Sequence, residues 1–448
     1  MKSWERAWQQ ALRWVFFSVS HRLDQISSSF SPFTVRQLSD ITAKILSSAD
    51  AIDATVWSRL AAASGPYNPF VQQRFFNALE RSGSACEKTG WKPFHVSIEK
   101  EGEVIGIVPM YAKGHSQGEY VFDYAWADAW HRAGGEYYPK LQVSVPFTPA
   151  TGPRILCNRD NKEDLSAIFS TLKQICQKTG VSSLHITFME KNLWDIANQN
   201  EFVCRMDQQF HWQNAAYSSF DDFLGDLASK KRKNLRRERK EALANDIEIE
   251  HITGASLSEK HWDAFFAFYL DTGQRKWGTP YLTRSFFTEI QNTMAEETLL
   301  IMAKRNGRYI AGALNFIGEN TLFGRNWGCI EDHRFLHFEI CYYQAIDFAI
   351  ENGLKTVEAG AQGSHKVARG YLPCATYSAH WIENDSFRDA ISKFVDEEKT
   401  YVERDINYIE QHSPFNSNVE LRDLREIGVR VTSQRVGGAE SANGRCWR

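Results

Sequence analysis

The 448-residue sequence lacks most of the short signals that name a function at sight. Its eight cysteines (Cys86, Cys157, Cys176, Cys204, Cys329, Cys341, Cys374 and Cys446) never form a C-x-x-C pair. That spacing excludes the common zinc and redox motifs and favours reduced thiols in a cytosol-like compartment over a disulfide framework. No window approaches 18 consecutive apolar residues, so no membrane-spanning helix is expected. There is no G-x-S-x-G, no G-x-x-x-x-G-K-[ST] and no G-x-G-x-x-G. Nucleophile-elbow, P-loop and dinucleotide chemistry therefore lack their usual residues. His333 and His337 in HRFLH have ligand-like spacing without a third ligand, and no metal is expected.

A strong charge bias is missing too. The 52 basic and 55 acidic side chains leave a net charge of −3, unlike the strongly basic domains dedicated to nucleic acid. Aromatics are plentiful at 13%, with 14 tryptophans; such rings fill a core or line a cleft. With 43% hydrophobic and 24% charged residues, the chain can bury a large core, and its length suggests two domains or more. The first residues, MKSWERAWQQALRWVFFSVSHRLDQISSSFSPF, are amphipathic, then serine-rich, with few acids. Transit peptides and surface helices share that pattern. A cytoplasmic protein is expected, with an organellar one as the alternative. The small, polar end (GGAESANGRCWR) is read as a disordered tail.

An internal repeat organises the rest. VSIEKEGEVIGIVPMYAKG (96–114) reads as two strands about a Glu-Gly turn, and IMAKRNGRYIAGALNFIGE (301–319) reads the same way about Asn-Gly. They align without gaps at an offset of 205 residues. Trp57 and Trp262 precede helical patterns, and Phe75-Phe76 and Phe286-Phe287 sit within them. CQKTG then VSSLHITF in the first copy answers IENG then LKTVEAG in the second. Each copy thus reads helix, helix, hairpin with a further strand, helix, strand, a mixed α/β unit with helices covering a sheet. The expected organisation is an N-terminal extension (1–50), a first unit (51–228), a basic linker helix (229–245), a second unit (246–415) and a tail (416–448). Residues 118–156, rich in Trp, Tyr, Phe and Pro, are read as an insertion packed in the groove between the copies.

That order is similar to the GNAT acetyltransferase fold, and two such units in one chain resemble the Fem-type peptidoglycan aminoacyltransferases. The segments HSQGEYVFDYAWADAW, YYPKLQVSVPFTPATGPR, KKRKNLRRERK, KWGTPYLTRSFF, GALNFIGENTLFGRNWG, LHFEICYYQAIDFAIENG and EAGAQGSHKVARGYLP resemble the GNAT-like family of predicted N-acyltransferases, or peptidoglycan biosynthesis/recognition proteins. The resemblance covers roughly 54–415. It implies tandem GNAT-like units and acyl or aminoacyl transfer to an amine, with acyl-CoA or aminoacyl-tRNA as donor. The acceptor would be a small molecule or a nucleotide-linked cell-wall precursor, and tRNA a possible partner. A binding module for such a precursor or RNA, without catalysis, is the alternative, as is a scaffold that has lost its donor site.

EAGAQGSHKVARGYLP (358–373) falls just beyond a strand end, where ligands gather in open α/β sheets. Gly360, Gly363 and Gly370 allow positive φ and close backbone approach. Lys366 best fits the lysine that the family resemblance places beside the acyl carbonyl, with His365 where a phenylalanine precedes it. A cation there would stabilise the tetrahedral oxyanion of acyl transfer. Arg369, three residues on, would hold a phosphate or carboxylate. A base must take the proton of the attacking ammonium, and His337, Glu339, Glu358 and His365 are candidates. Asp123 and Asp128, flanking Trp126 in YVFDYAWADAW, would hold a substrate amine or satisfy tyrosine and tryptophan donors. KKRKNLRRERK (230–240) is a solvated linker or a phosphate clamp; Arg232 and Arg236 are the clamp candidates. One departure stands out. The glycine-rich pyrophosphate motif of acetyl-CoA enzymes is absent where the second copy reads CIEDHRFLHFE.

Overall fold

The computed structural model describes residues 41–276, 280–360 and 363–416. The amphipathic start, the expected tail beyond Asn416, and Ala361 and Gln362 of the glycine-rich stretch lie outside them.

The first half runs β1 (Ile41–Leu46), α1 (Ala54–Ala63), α2 (Gln73–Arg81), β2 (Trp91–Pro93), β3 (His95–Lys100), β4 (Glu103–Val108) and β5 (Met110–Lys113). It continues with α3 (Tyr124–Arg132), β6 (Lys140–Val143), β7 (Leu156–Cys157), α4 (Lys162–Thr179), β8 (Ser183–Met189), α5 (Lys191–Gln199) and β9 (Val203–Gln213). Local chemistry sets these limits. The Asp53 carboxylate caps α1 by accepting from the Thr55 and Val56 amides. Helix α4 starts on Asn161, buries Leu165, Ile168, Phe169, Leu172 and Ile175 on one face, and stops at left-handed Gly180.

After α6 (Phe220–Asp226) and α7 (Ser229–Ala242), the second half repeats the plan. It runs β10 (Ile247–Thr253), α8 (Glu259–Lys276), α9 (Arg284–Met294), β11 (Thr298–Arg305), β12 (Arg308–Ile317) and β13 (Thr321–Cys329). A π-helical turn, Glu339–Tyr343, leads into α10 (Gln344–Glu351). Then follow β14 (Thr356–Glu358), a 3₁₀ segment Ser364–Arg369, β15 (Leu372–Ile382) and α11 (Asp385–Gln411).

The repeat holds in atomic detail. Glu99 pairs with Val104 and Lys304 with Tyr309, and each ladder is broken one residue earlier, after Ile98 and after Ala303. Both turns use two left-handed residues, Glu101-Gly102 and Asn306-Gly307, as tight hairpins require. The matched helices also pack against each other. Phe75 of α2 meets Phe286 of α9 edge-on at 5.9 Å, within one cluster that includes Trp57, Phe76, Trp262 and Phe287.

Strand order departs from two separate sheets. A small sheet, β1-β3-β4-β7, belongs to the first half, while eleven strands form β10-β11-β12-β13-β14-β9-β15-β8-β6-β5-β2. At its middle the halves alternate: β9 of the first lies between β14 and β15 of the second, and β15 lies between β9 and β8. Two boundaries shift in consequence. Residues 41–46, expected within an extension, form β1 and pair with β3. The expected insertion is partly integral, because β6 runs parallel to β8 as β13 runs parallel to β14. Only the remainder fits the groove reading, with Phe147 stacked on Tyr281 of the second half at 4.8 Å.

Two glycines test this packing. Gly307 is left-handed with nothing near a built Cβ, so Gly307→Ala should cost only backbone strain, about 1–2 kcal/mol. At Gly328 a Cβ would sit 2.3 Å from the Phe268 carbonyl oxygen of α8, and Gly328→Ala should cost nearer 3 kcal/mol. Equal losses in urea unfolding would contradict this close approach of α8 to β13.

Candidate functional site

Strand register fixes the floor of the site. Glu358 of β14 and Leu372 of β15 both lie opposite His211 of β9, so their side chains share one face of the sheet. Gln209 and Cys374 extend that face by two residues. The Glu358 carboxyl is 8% exposed, and burial pushes its pKa up to about 8 against the opposing pull of Arg325, the Thr151 amide and Arg154. One of its oxygens has no hydrogen-bond partner.

Lys366 is 2% exposed and donates to the Gly360 carbonyl at 2.8 Å. Burial pulls its pKa down to about 8, with Cys341 opposing. His211, buried and then repelled by Lys366, is held neutral with a pKa near 3; its Nδ1 is unpartnered. Arg154 donates to the Thr187 carbonyl at 2.8 Å and to that of Ala150. Burial lowers it to about 9, Glu358 opposing. Burial also lowers Arg325, which donates to the Phe147 carbonyl. A buried carboxyl and two unpartnered polar atoms thus lie among buried cationic side chains from both halves.

The rim is built from the rest of the glycine-rich stretch. Gly363 has φ 122°, and a Cβ there would strike the His365 ring at 2.4 Å. His365 is exposed and bonds the Tyr342 hydroxyl at 2.9 Å. Arg369 is not free for a ligand. It pairs with Glu238 of α7 at 2.8 Å, donates to the His365 carbonyl and lies 3.4 Å over the Phe338 ring. It ties the stretch to the basic helix. His337 stands at the same rim, 5.1 Å from Trp327 and 5.5 Å from Tyr342.

Other candidates lie elsewhere. Glu339 is fully buried, accepts three contacts from Arg239 and one from Gln344, and fastens α7 to the π turn. Asp123 accepts from Lys140 and, at 2.8 Å, from the Tyr137 hydroxyl, so the tyrosine-satisfying reading describes it. Burial opposes its ionisation, yet Lys140 and His185 hold the carboxyl below its ordinary range. Asp128 is exposed and paired with Arg132 at 2.8 Å. Trp126 packs edge-on to His380 at 4.9 Å. Arg232 reaches only the Gly225 carbonyl at 3.4 Å, and Arg236 pairs with exposed Asp221. Lys230, Lys231, Lys233 and Lys240 have no ion pair among the described residues, leaving α7 cationic on more than one face.

Sequence reasoning passed over His211, Gln209, Arg154 and Arg325. The first two had a legible signal: polar residues two apart in QQFHWQ point to one face of a strand.

The family model described as FemAB-like, peptidoglycan biosynthesis/recognition, matches residues 48–417. The chain belongs to this family. No curated protein is similar at a significant level. Among solved structures, FemX superposes with a TM-score of 0.50 at 13% identity, over 76% of this chain and 98% of its own. L-PGS from Bacillus licheniformis follows at 0.45 and 10%, over 74% and 98%. A tandem GNAT protein from the clavulanic acid biosynthesis pathway gives 0.41 and 11%, over 77% and 99%. The fold is therefore Fem-like, with its repeated units in one mixed α/β body. Among the described residues no helix is long and apolar enough to cross a membrane, and no group of three or more His, Cys, Asp or Glu is placed to hold a metal.

Glu358 makes a pH prediction for this Fem-like site. Its folded pKa lies above the ordinary 4.5, so it binds its proton more tightly folded than unfolded. Stability is then lost as pH rises from about 4.5 to 8. Glu358→Gln should add a few kcal/mol at pH 9 and nearly nothing at pH 4. Destabilisation at both pH values in chemical unfolding would mean that the carboxylate is a structural ion-pair partner instead.

Proposed function

We propose that the protein transfers an acyl or aminoacyl group to an amine by direct attack, without a covalent enzyme intermediate. The observation that carries this reading is the register that sets the buried Glu358 carboxyl opposite His211, with buried Lys366 close enough to His211 to repel its proton. Burial brings both Glu358 and Lys366 to about 8. Ionised Glu358 takes a proton from the acceptor ammonium, and the neutral amine forms the new C–N bond at the acyl carbonyl. Protonated Lys366 faces the oxyanion. As the intermediate collapses, the bond to the donor's sulfur or oxygen breaks, Glu358 returns its proton to that leaving group, and the extra proton on the new amide nitrogen passes to water. Cys374 is no rival nucleophile, since burial raises its thiol to about 12.

The donor phosphates fit α7 better than the helix start used by acetyl-CoA enzymes. The corresponding turn carries Glu331 and Asp332, and Glu331 is already bound to Arg305 and His333. Helix α7 meets the Lys366 segment through Glu238, which pairs with Arg369, and the lysines of the same helix without an ion pair among the described residues suit a nucleotide-linked acceptor or an aminoacyl-tRNA. Family membership supports a cell-wall precursor as acceptor.

Incubation with labelled acetyl-CoA, acyl-carrier and aminoacyl-tRNA pools tests the reading. Label moved to an amine supports it; saturable retention without transfer supports the binding module. With the active donor, kcat/KM should follow a narrow bell centred near pH 8, rising as Glu358 ionises and falling as Lys366 loses its proton. Lys366→Ala should lower turnover about a hundredfold or more without lowering the melting temperature; normal turnover would sink its role. Replacing Arg232 and Arg236 by alanine should weaken the phosphorylated ligand by about 2–3 kcal/mol while leaving stability unchanged. Full binding with a sharp fall in melting temperature would make the run structural.

A further inference from the structure

A pocket of about 190 Å³ lies along the same strands as the floor, lined by Tyr120, Phe122, Phe188, Arg205, Asp207 and Thr376 among others. Register places Ser378 opposite Arg205, Thr376 opposite Asp207 and Cys374 opposite Gln209, on the face that carries His211 and Glu358. Asp207 is four residues from His211, roughly 13 Å at the rise of a strand.

Its walls are unusual. Phe188 is the extra residue where the ladder shifts, with Met189 facing Tyr377 and Thr187 facing Ser378. Its φ is 55°, and Tyr120 has φ 59°. Bulges re-aim side chains, and a bulky residue held left-handed is strained, as residues at ligand sites often are. Two aromatic rings are thus held beside the cavity against backbone preference. A third, Phe122, is 54% exposed at its mouth.

The charges decide what fits. Arg205 is already neutralised: Nε and Nη2 grip Glu398 at 2.6 and 2.7 Å, and Nη1 donates to the Phe122 carbonyl. Asp207 is exposed and has no ion-pair partner among the described residues, and Asp405 takes the Gln208 amide. Carboxylates therefore outnumber guanidinium groups here, beside electron-rich ring faces that attract cations. The floor has the opposite sign, with Lys366, Arg154 and Arg325 around one carboxyl.

We propose that this pocket binds an ammonium group of the acceptor, remote from the amine that reacts. The proposal rests on the transferase reading and names its substrate class: an elongated acceptor with two amino groups. The cationic floor disfavours a lasting second ammonium, so the amine seated there is the one that gives its proton to Glu358, while Asp207 and the rings hold the one that stays charged. Such an acceptor binds in one direction only.

Titration of the full chain with n-pentylamine, n-pentanol and methyl glucoside, with no donor present, tests this by NMR. The amine should bind at least tenfold more tightly than the alcohol. Asp207→Asn and Phe122→Ala should each remove most of that preference without changing the melting temperature. Equal binding of amine and alcohol, stronger binding of the glucoside, or a preference that survives Asp207→Asn would overturn the proposal. Asp207-dependent amine binding with no transfer in any donor assay would keep the pocket and sink the transferase. Transfer whose acceptor KM ignores Asp207→Asn would do the reverse.

Discussion

Everything at the centre of this molecule depends on two strands that have changed places. Strand β9 ends the first half yet lies inside the second, and β15 does the opposite, with the β9–β15 ladder running from Leu372 opposite His211 to His380 opposite Val203. Neither half completes its sheet alone. The exchange makes one continuous surface from two repeats and sets residues far apart in sequence abreast. The site is composite for this reason: His211 and Arg154 come from the first half, and Glu358, Arg325 and Lys366 from the second.

Buried charge is treated in two ways along that surface. Around Lys140 the ammonium itself is satisfied, with bonds to Glu119, Asp123 and Ser116 that hold it charged in a fully buried place, although one oxygen of each carboxylate has no hydrogen-bond partner. Networks of this kind specify packing. Around Glu358 it is left open, with an unpartnered carboxyl oxygen, an unpartnered His211 nitrogen and two arginines shifted by burial. Open valences cost stability, and proteins retain them mainly where a ligand completes them.

The repeat was legible because its evidence is local. Hairpin alternation, a Glu-Gly or Asn-Gly turn and paired aromatics need no knowledge of distant residues, and the two ladders agree down to the position of their bulges. The exchange was illegible because nothing within β9 or β15 says which neighbour it takes. Lys140–Val143 disappeared into an aromatic-rich segment because a four-residue strand has too few alternations to register. The charged partners of Asp123 and Glu339 were not legible because Lys140 and Arg239 are 17 and 100 residues away. Glu358 and Lys366 stand out in the sequence because glycines mark the backbone around them. His211 was lost among aromatics that read as core.

The exchanged strands also impose an order on the birth of the molecule. As the chain leaves the ribosome, the first half emerges with β8 and β9 complete, but the partner that lies between them, Leu372–Ile382, is still some 160 residues from being made. Until then β8 presents a seven-residue buried-type strand, Ser183–Met189, with an unsatisfied edge. Such edges template association with other chains, and contacts this distant in sequence form slowly. The nascent first half therefore exposes an open strand edge until the last strand of the fold fills the gap.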